Sequence, residues 1–195
     1  MNVFTYYLAQ GPTLNRDIFQ HFPLLTDLAR ECDVVVELGV REIGSTWAFL
    51  SGRPKELHSY DLHNPSKWGG RLDHVEMGAK QVGTSFTFYE QDVLTADIPE
   101  CDLIFFDTWH TYKQLKKELE LHANKSRKYL VFHDVVSYGK KDEVDKHEHS
   151  EYEFEETEKQ GLFLAIQEFV ESNREWRYHI VHYFNNGLLV LKRSE

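Results

Sequence analysis

Five acids stand at or just past the ends of short apolar runs in this chain. Val34-Val35-Val36 runs into Glu37, Leu57-His58-Ser59-Tyr60 into Asp61, and Phe86-Thr87-Phe88-Tyr89 leads to Asp92. Leu103-Ile104-Phe105-Phe106 runs into Asp107, and Tyr129-Leu130-Val131-Phe132 into His133-Asp134. His110 follows Asp107 by three positions. Carboxylates accept hydrogen bonds from hydroxyl and amino groups and attract cations. Histidine exchanges protons near neutrality, with an ordinary pKa of ~6.5. Acids at successive strand ends thus suit a cationic ligand rich in hydroxyls and repel a pyrophosphate.

A glycine loop follows the first of these acids. Gly39 and Gly44 are five positions apart, and Ser45-Thr46 and an apolar run, Trp47-Ala48-Phe49-Leu50, come next. This reads as strand, tight loop and helix start, a junction that aims backbone N–H groups at a ligand. The spacing imitates a phosphate-binding loop, G-x-x-x-x-G-K-[ST], but Ser45 stands where the lysine belongs. A dinucleotide fingerprint needs a glycine at position 41, which is Arg. A nucleotide-binding module therefore remains only as a competing reading.

The elements that position these residues alternate. Asp17 to Glu31 has a helical apolar pattern broken by Pro23, which predicts a kink or two short helices. Strands are expected over Cys32–Glu37, Leu57–Asp61, Ser85–Glu90, Asp102–Asp107 and Lys128–Asp134. Helices are expected from Gly44, over Leu72–Val82, over Thr111–His122 and over Gly161–Val170. Two further strands, Trp176–Phe184 and Leu188–Leu191, flank Asn185-Asn186-Gly187, a hairpin signal. Continuous apolar strands alternating with helices predict an α/β fold. The expected architecture is a Rossmann-like, doubly wound, seven-stranded, mostly parallel sheet with a C-terminal antiparallel hairpin. In such a sheet the strand ends line one crevice, where ligands bind.

Composition sets the wider limits. The chain has 195 residues, 41% of them hydrophobic and 14% aromatic, enough for one domain over 1–195 with a full core. Within it, 1–31 is a helical N-terminal segment, with a turn at Gly11-Pro12. The stretch 137–157 is dense in charge and is expected to be an exposed, mobile loop, a candidate lid, with His147 and His149 solvated. A net charge of −10 argues against a nucleic-acid partner and for a small molecule. Two cysteines, Cys32 and Cys101, provide neither a disulfide framework nor zinc spacing, so a reduced, cytoplasmic protein is expected. No apolar stretch approaches the ~20 residues of a membrane span. Oligomeric state has no signature in the sequence.

Taken together, the motifs resemble the class I S-adenosylmethionine-dependent methyltransferases. The closest likeness is to the family that includes cephalosporin-hydroxylase-like and sugar O-methyltransferase proteins. The resemblance rests on Val36-Glu37-Leu38-Gly39 with Gly44-Ser45-Thr46, on Asp61 and Asp92, and on Asp107-Thr108-Trp109-His110-Thr111-Tyr112, similar to that family's D-G-x-H-x-Y. Phe132-His133-Asp134 and the closing segment from Gly161 through Asn186-Gly187-Leu188 extend it to about residues 30–193. It implies an O-methyltransferase of a small-molecule hydroxyl, on a sugar or secondary metabolite, with S-adenosylmethionine as donor. Glu37, Gly39, Gly44, Ser45 and Thr46 would face the cofactor's amino-acid end. Asp61 would accept from the ribose hydroxyls and Asp92 would sit near the adenine amino group. Asp107 would close the cofactor site.

At the reactive end, His110 is the expected general base and Asp134 its catalytic companion. Asp107 and Asp134 end adjacent strands and can share a hard divalent cation such as Mg²⁺, with His133 as a further ligand. Two departures stand out. Thr108 replaces the family's glycine, and His133 replaces a carboxylate of the metal-binding relatives, although Mg²⁺ prefers oxygen. They motivate the alternative of a catalytically inactive S-adenosylmethionine-binding protein.

Overall fold

Val34–Leu38 (β1) is apolar on both faces apart from Glu37, and it takes an inner position, beside the central strand, in a seven-stranded sheet. The computed structural model describes residues 17–144 and 152–194, together with Thr5 and Ala9. The other strands are β2 (Glu56–Asp61), β3 (Ser85–Glu90), β4 (Cys101–Phe106), β5 (Ser126–His133), β6 (Trp176–His182) and β7 (Leu188–Arg193). Their order is β3-β2-β1-β4-β5-β7-β6. Strands β1 to β5 pair in parallel, and β7 runs antiparallel to both β5 and β6. Six strands thus share one direction, and the doubly wound sheet with a terminal hairpin is the one expected. The hairpin turn holds Asn185, Asn186 and Gly187 at φ of 49°, 67° and 91°, the left-handed region these residue types tolerate.

Alternation along the strands sends side chains to two cores. Val36, Leu38, Ile104, Phe106 and Phe132 face α4 (Tyr112–His122) and α5 (Leu162–Ser172), which bring Leu115, Leu119 and Ile166. Val35, Leu103, Phe105 and Val131 face the other way. There they meet α1 (Phe22–Arg30), α2 (Gly44–Gly52) and α3 (Leu72–Val82) through Leu25, Leu28, Trp47, Phe49 and Val75. Pro23 lies in the first turn of α1, where a missing N–H costs nothing, directly after a 3₁₀ turn over Phe19–His21. The apolar pattern therefore divides into two short helices. Cys32 and Cys101 are buried free thiols. Among the described residues no helix is long and apolar enough to cross a membrane.

The segment after β5 differs from the expected mobile loop over its first part. Tyr138 N–H donates to the Asp134 carbonyl (2.9 Å), and Leu162 and Phe163 N–H donate to the Tyr138 and Gly139 carbonyls (both 3.0 Å). The Asp142 carboxylate accepts from Tyr112 N–H and Gly161 N–H, both at 2.8 Å, and so bridges the starts of α4 and α5. Residues 137–144 cannot swing as a free lid without breaking these bonds. Asp142 is thus used to cap backbone N–H groups. Residues 152–160 are mostly exposed and irregular. His147, His149 and the turn at Gly11-Pro12 lie outside the described residues.

Gly39 ends β1 at φ +89°, and a Cβ there would lie 2.1 Å from the Asp107 carbonyl oxygen. Gly83 has a similar φ of +79° with nothing within 4 Å. Gly83→Ala is therefore expected to cost roughly 1 kcal/mol, the left-handed penalty alone. Gly39→Ala should cost about 3 kcal/mol or more, because backbone must also move. Urea unfolding of both variants checks this, and equal losses would show that the β1 end and Asp107 are not in fixed contact.

Candidate functional site

Glu37 is fully buried beneath the glycine loop. Its carboxylate accepts from the hydroxyls of Ser45, Thr46 (2.8 Å) and Ser59 (2.6 Å). Ser59 is its register partner on β2, and Ser45 and Thr46 open α2. One carboxylate therefore ties β1, β2 and α2 together. Burial pushes its pKa up to about 7, the three hydroxyl donors pulling the other way. Glu37 and Thr46 do not line the cavity described next; they brace the loop beneath it. The Ser45 hydroxyl proton is likewise committed to Glu37.

Above the loop lies a cavity of about 290 Å³ at the C-terminal ends of the strands. Gly39, Val40, Gly44, Ser45, Asp61 and Asp92 form one side. The loop reaches α2 through Ile43 in the left-handed region, at φ 60°, and no side chain caps the helix start. The first N–H groups of α2 thus open toward the cavity with the positive end of the helix dipole. Asp61 Oδ2 accepts from Val40 N–H and Arg41 N–H, both at 2.9 Å, and its Oδ1 accepts from His63 N–H at 2.9 Å. A carboxylate has about four acceptor positions, so both oxygens keep capacity for ligand hydroxyls. Asp92 Oδ1 accepts from Leu94 N–H at 2.9 Å.

Asp107, His110, Asp134 and Glu143 form the opposite side. His110 Nε2 lies 3.3 Å from both Asp107 Oδ1 and Asp134 Oδ2. His133 Nδ1 lies 3.1 and 3.2 Å from the same two oxygens. The second nitrogens are also engaged. His110 Nδ1 meets the Glu143 carboxylate at 2.9 Å, and His133 Nε2 meets the carbonyls of Asp17 (3.1 Å) and Asn185 (3.4 Å). Tyr138 stacks on the His110 ring at 5.1 Å, 2° from parallel. Asp134 holds φ at +60°, a strained conformation that clusters at functional sites.

These neighbours change the acid–base chemistry expected of His110. Burial pulls its pKa down, but hydrogen bonds to Asp107 and Glu143 and the charges of Asp134 and Asp107 outweigh it and lift the value to about 10. His133 is also held well above its ordinary value, burial being outweighed by Asp107 and Asp134. Burial would raise Asp107, yet the two histidines hold it far below the carboxylate range. Among these carboxylates the protonated form of His110 is favoured, and both of its ring nitrogens are engaged.

Thr108 has a partner that explains it. Its hydroxyl donates to the buried Glu118 carboxylate (2.6 Å), which also accepts from the Gln114 amide (2.7 Å). Burial lifts Glu118 to about 7. Sequence reasoning missed Glu118, although Gln114, Leu115, Glu118, Leu119 and His122 share the buried face of α4 at helical spacing. It also missed Glu143, hidden in a charge run, and the carbonyls of Asp17 and Asn185, which carry no side-chain signal.

No protein-family model and no curated protein sequence matches the chain. Solved structures do. An SAH-bound methyltransferase from Podospora anserina superposes at TM-score 0.62 with 11% identity, covering 100% of this chain and 89% of that one. An O-methyltransferase from Bacillus cereus in complex with SAH superposes at 0.60 with 12% identity, covering 90% and 81%. The N-methyltransferase NodS from Bradyrhizobium japonicum gives 0.57 and 12%, covering 93% and 98%. This chain has the methyltransferase fold. The shared feature is the architecture, and the methyltransferase fold here carries its own residues at the crevice.

Glu37 also predicts a pH dependence. Between its ordinary 4.5 and about 7, the folded protein keeps a proton here that the unfolded chain has released. The contribution of Glu37 to stability is therefore full at low pH and falls, by roughly 3 kcal/mol, as pH rises through that window. Unfolding free energies of wild type and Glu37→Gln, measured across pH 4.5–8, should converge or cross by this amount. A difference that stays constant with pH would contradict the burial argument.

Proposed function

We propose that this protein is an S-adenosylmethionine-dependent methyltransferase acting on the hydroxyl of a small molecule. The observation that carries this reading is the cavity. Within a methyltransferase fold it sets the open N-terminus of α2 beside the strand-end acids Asp61 and Asp92, and Ser45 stands in the glycine loop where a triphosphate-binding loop has its lysine. That donor and acceptor set fits the cofactor. The first-turn N–H groups of Gly44 and Ser45 receive its carboxylate, Asp61 accepts from the ribose hydroxyls, and Asp92 accepts from the adenine amino group. The cofactor supplies an electrophilic methyl group on a sulfonium. The chain aligns the acceptor oxygen for in-line displacement and receives its proton, which we assign to the Asp134 carboxylate. Asp107 and the protonated His110 orient the oxygen. The net charge of −10 fits a small-molecule acceptor better than a polyanion. We extend the reading to one domain over 1–195 in a reducing, cytoplasmic setting.

A divalent ion fits the same wall. Asp107, His110 and Asp134 each turn one ligand atom to a common spot, all within 4.8 Å of one another. Such an ion would lower the pKa of a bound hydroxyl. The two carboxylates suit Mg²⁺, but the imidazoles do not.

A second reading, a cofactor-binding protein without transfer, is favoured by one observation: neither ring nitrogen of His110 is open to accept a proton from a substrate.

Titration calorimetry with S-adenosylhomocysteine tests the cofactor. Saturable binding is expected, and Asp61→Ala should weaken it about tenfold or more, through lost ribose contacts and a loosened loop. No heat of binding at millimolar ligand would refute both readings. Asp134→Asn should leave that affinity within about threefold while abolishing transfer to hydroxylated acceptors, and retained transfer would remove Asp134 from the chemistry.

A further inference from the structure

We propose that Gln114 reads the base of the bound nucleoside, and that Glu118 is the positioning residue that sets the direction of its amide. The inference deepens the methyltransferase reading at the adenine end of the same cavity and rests on that reading.

Three polar side chains, Gln114, Glu118 and His122, follow one another at four-residue steps along α4 and so share one face of the helix. They are buried, at 4%, 1% and 1% exposure, and buried polar groups need partners. Each ties α4 to the base end of the crevice in its own way. His122 Nε2 donates to the Val93 carbonyl at 2.7 Å, which secures the turn that carries Asp92. Glu118 Oε1 accepts from the Thr108 hydroxyl at 2.6 Å and from the Gln114 amide nitrogen at 2.7 Å. The Asp92 carboxylate is close enough for its charge to act on Glu118. Asp92, Val93, Thr108 and Gln114 all line the cavity.

The Gln114 amide has two polar ends. Its nitrogen is committed to Glu118, and among the described residues its oxygen has no hydrogen-bond partner, although the side chain lines the cavity. Turning the amide over would set its oxygen against Glu118 Oε1, which already accepts from Thr108. Thr108 thus fixes Glu118, Glu118 fixes the amide, and the amide oxygen is left for a ligand. This corner of the cavity therefore offers two acceptors, the Asp92 carboxylate and the Gln114 carbonyl. The exocyclic amino group of adenine carries two N–H donors. Asp92 takes one in the reading above, and Gln114 takes the second. A 6-oxo base in the same place would turn its own oxygen toward both acceptors. Fixed polar groups reject such a ligand strongly, by up to about 10⁴-fold, because they are left buried and unpaired.

Titration calorimetry on the full chain compares S-adenosylhomocysteine with S-inosylhomocysteine, in which an oxygen replaces the 6-amino group. Wild type should prefer the amino compound by about 100-fold or more. Gln114→Met keeps the bulk and loses both polar ends, and it should cut that ratio about tenfold, leaving the share that belongs to Asp92. Glu118→Met frees the amide to turn and should also cut the ratio. Glu118→Gln keeps an oxygen where Oε1 stands and should hold the ratio within about threefold of wild type. A merely structural role for Glu118 would instead weaken both ligands alike and leave the ratio unchanged. Circular dichroism confirms that each variant is folded, and the wild-type ratio and Gln114→Met decide the matter even where Glu118→Met is not. A wild-type ratio below about tenfold, or a ratio that Gln114→Met leaves unchanged, would overturn the proposal alone, since S-adenosylhomocysteine still binds. Absence of S-adenosylhomocysteine binding at millimolar concentration overturns both this proposal and the methyltransferase reading.

Discussion

A carboxylate with no access to water organises the near half of the crevice. Leaving Glu37 ionised and unpaired under the loop would carry a large desolvation cost. Ser45, Thr46 and Ser59 meet that cost with three hydroxyl donors drawn from two different elements. The first turn of α2 is thereby fixed over the ends of β1 and β2. Asp61 holds the loop from its other side through Val40 N–H and Arg41 N–H. Between the two acids the glycine loop has little freedom, and its N–H groups stay directed at the cavity. Pre-organisation of this kind spares a ligand the entropy of ordering the loop.

The far half is assembled differently. His133 sits at the end of β5, but its ring is oriented by carbonyls of Asp17, before α1, and Asn185, in the β6–β7 turn. His110 is oriented by Glu143 from the segment after β5. Segments distant in sequence thus converge on two imidazoles, which in turn face two carboxylates. Charge is concentrated there: a third carboxylate, Glu143, supports a pair already close together. Like charges so arranged require compensation, by protons on the rings or by a bound cation. In either case the wall facing an acceptor is electrostatically strong and held from behind.

Much of the fold was legible because the relevant signals are local. Apolar runs of strand length, Pro23 after an aromatic pair, and Asn185-Asn186-Gly187 each act through nearby backbone and need no tertiary information. Strand-end acids were legible for the same reason, since a parallel sheet puts all such ends on one edge. Their division of labour was not. Glu37 and Asp61 have similar positions in the pattern, yet one is sealed under the loop and the other lines the cavity, because Ser59 and Ser45 close over Glu37 alone. The surroundings of His110 were not legible for a related reason: the three carboxylates that favour its protonated form come from the ends of β4 and β5 and from the segment that follows. Thr108 looked like a defect in a motif until Glu118 and Gln114 were found beneath it.

What occupies the cavity decides the function, and a crystal structure of the protein grown with S-adenosylhomocysteine examines that directly. It should show the amino-acid carboxylate on the N–H groups of Gly44 and Ser45, both ribose hydroxyls on Asp61, and the sulfur turned toward Asp107 and Asp134. Density for the ligand away from Asp61, or a crevice filled by another molecule with no S-adenosylhomocysteine at saturating concentration, would contradict it.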